Sequence, residues 1–136
     1  FMNNKLMKSG SQEAFSQLGA TVKALSVPVG DMSGGQKQSV AVARAASWAN
    51  KIIFLDAPTA ALGGVQTHNV LELIKRVRDK GIGVVFISHS MPEVLSVADS
   101  IQVLRRGRRV MTLAAKTSTL EELVGAMTGA LDEEIR

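Results

Sequence analysis

The sequence predicts an α/β fold with a mainly parallel sheet and flanking helices, and three observations predict it. Two short apolar runs, Ile52-Ile53-Phe54-Leu55 and Val84-Val85-Phe86-Ile87, read as strands buried on both faces. Helical spacing of Val70, Leu73, Ile74 and Val77 lies between them. Hydrophobic residues make up 46% of the 136 and charged ones 21%, a folded-domain composition rather than a disordered one. Strands alternating with helices imply helices packed on both faces of the sheet.

Each element has its own justification. Phe15, Leu18, Val22 and Leu25 recur at helical spacing and predict a first helix over residues 12–25. Pro28 and Gly30 break it. Residues 34–48 read as an alanine-rich second helix suited to close packing. The third helix ends with Gly81 as a C-cap, and the second strand follows. Ser90-Met91-Pro92-Glu93 reads as a helix start, with Ser90 capping, Pro92 in the first turn and Glu93 as capping-box partner. Apolar residues on either side of Arg105-Arg106-Gly107-Arg108-Arg109 predict a hairpin turning at Gly107. Ser118 with Glu121 opens a last helix running through Met127.

Composition excludes several function classes. The chain has no cysteine, hence no disulfide scaffold, thiolate metal site or cysteine nucleophile. Arg44 interrupts the longest apolar stretch, so no run approaches the ~18–20 residues of a membrane span. The net charge of +4 is mild. Its arginine cluster fits a solvated turn better than a nucleic-acid patch, because no aromatic lies near it for base stacking. These features predict a cytosolic-type domain with one modest core.

Four places carry possible chemistry. Ser33-Gly34-Gly35-Gln36 precedes a helix, where free N–H groups and the positive dipole end suit an anion that side-chain-free glycines let approach. Alone, the same residues fit an ordinary Ser N-cap with a glycine turn better than an anion site. Asp56 ends the first strand, at the rim where α/β proteins bind ligands, and fits either a Mg²⁺ site or a turn carboxylate. His89 follows the second strand and fits a donor to phosphate or a plain cap-loop histidine. Thr59-Ala60-Ala61-Leu62-Gly63-Gly64 is a small-residue loop opening the third helix.

Order and spacing join these places: 23 residues separate Ser33 from Asp56 and 33 separate Asp56 from His89. Here the sequence resembles the ATPase subunits of ABC transporters, most closely those of bacterial monosaccharide importers of the ribose, xylose and fructose type. Met32 to Gln36 looks like the signature motif, Ile52 to Asp56 like Walker B, Ala60 to Gly63 like the D-loop and His89 like the switch histidine. Pro-Thr-Ala-Ala-Leu-Gly (58–63), Phe-Ile-Ser-His (86–89) and Met-Thr-Gly-Ala (127–130) carry the closer likeness. The resemblance implies a P-loop NTPase fold with residues 1–48 in a helical subdomain and 49–136 in the ATPase core and C-terminal helix. It implies ATP with Mg²⁺ at Asp56, and Ser33, Gly34, Gly35 and Gln36 facing the γ-phosphate of a partner's site. It also implies dimerisation, permease partners and a location at the inner face of the cell membrane without insertion.

Two departures qualify the activity. No Gly-Lys dipeptide occurs, so these residues contain no P-loop. In the family the P-loop strand and helix precede the signature and would lie upstream of Met2, so the chain reads as the C-terminal half of a subunit. Where the family has a water-activating glutamate after the Walker B aspartate, this chain has Ala57. ATP binding and hydrolysis by the chain alone are therefore not expected. Without the P-loop strand, the remaining sheet is expected to close its gap by rearrangement, strand exchange or dimerisation.

Overall fold

The computed structural model describes residues 3–19 and 25–130. Five helices and four strands follow in the order α1 (Asn4–Leu18), α2 (Gly34–Trp48), β1 (Ile52–Asp56), α3 (Gly64–Asp79), β2 (Gly83–Ile87), α4 (Met91–Val97), β3 (Ser100–Arg105), β4 (Arg108–Ala114) and α5 (Leu120–Thr128). Packing divides them into two units, residues 1–87 and 88–136.

In the first unit β1 and β2 pair in parallel, with Ile52 opposite Gly83 and Asp56 opposite Ile87. Ile53 and Leu55 are buried, and α2 packs on β1 while α3 packs on β2 and on α2. Val42, Ala43 and Ala46 of α2 and Val70, Leu73, Ile74 and Val77 of α3 complete the core. The alternate strand residues are not buried: Ile52 is 58% exposed, Phe54 73%, Val85 40% and Ile87 51%. This corrects the expectation of strands buried on both faces. Only two strands form the sheet, so its outer face stays open among the described residues. Among the described residues no rearrangement closes it.

Helix α1 differs from its expected span of residues 12–25. Asn3 starts it early, its side chain accepting from the Lys5 and Leu6 N–H groups. Gly19 stops it at Leu18 by taking a left-handed φ of 59°. Val22 lies outside the described residues, and Leu25 sits in a turn. The Arg76 guanidinium donates to the Leu18 and Gly19 carbonyls at 3.0 and 2.8 Å, placing a cation at the negative helix end. Helix α2 has the expected bounds.

The second unit packs Val94 and Val97 of α4, Ile101 and Val103 of β3, Ala115, and Leu123 and Ala126 of α5. β3 and β4 are antiparallel and form the expected hairpin. Arg106 and Gly107 have φ of 50° and 75°, the paired positive values of a type I′ turn. Arg105 reaches Gly129, the left-handed cap of α5. Two helix starts differ from expectation by their partners. Thr119 and Glu122, not Ser118 and Glu121, form the capping box of α5. Ser90 makes no side-chain cap on α4; its N–H donates to Ser88 Oγ, and the Ser88 hydroxyl donates to Glu93.

Candidate functional site

A 3-10 turn over Val29–Asp31 leads into Ser33, whose extended backbone (φ −63°, ψ 159°) fits an N-cap. Ser33 Oγ accepts from the Gln36 N–H at 3.3 Å, and Gln36 Oε1 accepts from the Ser33 N–H at 3.0 Å. This reciprocal capping box consumes two backbone donors. The next donors, the N–H groups of Gly34 and Gly35, have no partner within an α-helix and sit at its positive end. Because Ser33 Oγ accepts in the cap, its own hydrogen stays available to an anion. The cap and the anion cradle are thus compatible functions of one turn. Behind it, the buried Ser39 hydroxyl donates to the Gly35 carbonyl at 2.9 Å.

Asp56 ends β1 exposed, on the same face as Ile52 and Phe54. Ala57 then turns the chain with a left-handed φ of 44°, its N–H donating to the Ile87 carbonyl at 2.9 Å. That region costs an L-residue about 1–2 kcal/mol. Pro58 and Thr59 are buried and anchor the loop, and Ala61 is again left-handed at 60°. The loop then folds over the start of α2. A methyl group at Gly34 would lie 3.3 Å from Leu62 Cδ2. One at Gly35 would lie 2.7 Å from both Cβ and Cγ of Gln66, and one at Gly63 2.7 Å from Gln66 Oε1. The signature-like turn and the D-loop-like segment are thereby brought into contact within the first unit.

His89 is exposed at the entry to α4, in the second unit. Among the described residues no three His, Asp or Glu side chains cluster as a metal cage. Asp56 is a single exposed carboxylate, which suits Mg²⁺ retaining its waters and phosphate ligands rather than an all-protein site. Sequence reasoning missed Gln66, whose importance arises only where α3 crosses α2. Its one local signal is its place three residues after the Gly63 cap of α3.

Comparison with known proteins adds an independent line. The family described as ABC transporter matches residues 3–60. The fructose import ATP-binding protein of Rhizobium meliloti is 43% identical over 130 residues, covering 95% of this chain and 50% of that protein. The chain is similar, along nearly its whole length, to the ATP-binding proteins of ABC transporters.

The chain is also similar to the xylose/arabinose import ATP-binding protein of Sulfolobus acidocaldarius, 38% identical over 94% of the chain and 51% of that protein. The ribose import ATP-binding protein of Streptococcus agalactiae is 37% identical, over 94% of the chain and 26% of that protein. A solved metal-chelate type ABC transporter in an inward-facing conformation superposes with a TM-score of 0.76 at 25% identity, over 94% of the chain and 51% of that one. The chain therefore spans about half the length of two curated relatives and a quarter of the third. The ABC ATPase resemblance read from the motifs holds, and so does its α/β fold class.

Proposed function

We propose that these residues supply the signature side of a composite ATP site in a sugar importer, and that by themselves they neither bind ATP tightly nor hydrolyse it. The observation that carries this is the Ser33–Gln36 turn. Its capping box leaves the Gly34 and Gly35 N–H groups without a partner inside the helix, which supports an anion there, while the sequence holds no P-loop to bind that anion's nucleotide. In this reading Ser33, Gly34, Gly35 and Gln36 face the γ-phosphate held by a partner's P-loop. Asp56 would hold Mg²⁺ through water, and His89, in the other unit, is by itself a candidate donor to a phosphate. Ala57 can neither accept a proton nor polarise water, and loss of a positioned base typically costs ~10²–10⁴ in rate. Residues 1–48 act as part of the helical subdomain and 49–136 as part of the ATPase core. The partners are a second ATP-binding subunit and the permease at the inner face of the membrane; the sugar class follows from what the relatives' names state.

A second reading, a non-catalytic module that pairs with and regulates an intact subunit, is favoured by Ala57. Calorimetric titration with Mg-ATP tests the absence of tight binding, and complementation separates the two readings. The chain alone should show no tight binding, and low-micromolar affinity with turnover would contradict the proposal. The chain should restore turnover to a P-loop-bearing subunit of a fructose-type importer whose own signature serine is replaced by alanine. Co-purification without restored turnover selects the regulatory module.

A further inference from the structure

Where α3 approaches the signature turn, Gln66 lies against Gly35. Gly35 is buried, and the atoms against it are Gln66 Cβ and Cγ, with the Gln66 Cα 3.6 Å from where a methyl would stand. These are the root of the side chain, not its flexible end: Cβ cannot swing aside without moving α3, and Cγ only by changing the χ1 rotamer. The far end of the same side chain lies over Gly63. Gln66 is therefore wedged between two glycines from two different segments, one in the turn that carries the anion-facing N–H groups and one at the loop that follows Asp56.

We propose that Gln66 is a positioning residue for the signature turn. Its side chain fixes the spacing between the Gly34–Gly35 N–H groups and the Leu62–Gly63 loop. Gly35 is glycine in part because Gln66 occupies the space of its side chain. The catalytic part of this inference rests on the composite-site reading above; the positioning part does not. Gln66 touches neither nucleotide nor metal, and acts only through the N–H groups it holds in place. Displacing such donors by an ångström costs as much as about a hundredfold in rate.

Two measurements test it. In ¹H–¹⁵N spectra of the whole chain, Gln66→Ala should shift the Gly34, Gly35 and Gly63 amide peaks and leave those of the second unit in place. Gln66→Met, which keeps the bulk without the amide, should leave all of them near wild type. Unmoved glycine peaks in Gln66→Ala overturn the proposal, as does a Met variant that behaves like the Ala variant. In the complementation pair, Gln66→Ala should lower kcat about tenfold to a hundredfold with KM for ATP unchanged. Gly35→Ala should fall similarly, and the double variant Gly35→Ala/Gln66→Gly, which reopens the space, should recover most of the loss. A double variant no better than Gly35→Ala overturns the steric assignment. If the wild-type chain restores no turnover, the composite site fails, and the spectra alone decide the positioning role.

Discussion

Ser33 serves two chemical ends, and one substitution separates them. Ser33→Ala removes the acceptor that lies 3.3 Å from the Gln36 N–H and should cost about 1 kcal/mol, the usual loss for an N-cap. In a chain of this size that lowers the thermal midpoint by roughly 3 °C. Ser33→Asp keeps an acceptor at the same place and adds negative charge at the positive helix end, worth about 0.3–1 kcal/mol. Its stability should equal or exceed wild type. A phosphate seated on the Gly34 and Gly35 N–H groups would stand within about 4 Å of that carboxylate, a repulsion of about 1 kcal/mol in water and about 4 at an effective dielectric of 20. Complementation should therefore drop by between about fivefold and a thousandfold. Urea unfolding reads the first effect and coupled ATP turnover the second. An Asp variant as unstable as Ala refutes the cap, and one that still complements fully refutes the anion site.

Three further outcomes are expected. Leu73, 1% exposed in the first unit's core, should lose about 2–5 kcal/mol on truncation to alanine by urea unfolding, whereas a loss below 1 would mean a loosely packed core. Ala57→Gly should raise stability by about 1 kcal/mol by relieving its left-handed φ of 44°; a loss would show that the turn is unstrained. Replacing the exposed Phe54 with threonine should weaken self-association in sedimentation by at least tenfold, since burying one such ring is worth about 1.5–3 kcal/mol. An unchanged association constant would place any dimer contact elsewhere.

Elements whose signals are local were legible in the sequence. Helix α2 runs from Gly34 to Trp48 as its cap residues dictate, and the hairpin turns at Gly107 as its flanking apolar residues require. The order of Ser33, Asp56 and His89 was enough to reach the family. Features decided between near-equivalent neighbours were not. Ser118 and Thr119 both precede a glutamate by three residues, so the local pattern does not choose between them, and the structure uses Thr119. Periodicity through Leu25 hid the stop at Gly19, where a glycine's backbone freedom and the Arg76 cation outweigh the apolar spacing. Strand burial was overestimated because Ile52 and Phe54 have the composition of a covered face whether or not anything covers it. Gln66 left only its place three residues after the Gly63 cap as a mark, because its contacts depend on where two helices cross.

The outer face of β1 joins two properties that are usually considered apart. Asp56 lies in the same row as Ile52 and Phe54, so the carboxylate closes one end of an apolar strip. Any polypeptide that settles on that strip also withdraws water from Asp56. Desolvation penalises a bare carboxylate and favours one that holds a cation. With the cation role proposed for Asp56, association on this face and cation affinity there are thermodynamically linked, and whatever factor one imposes on the other is returned in equal measure.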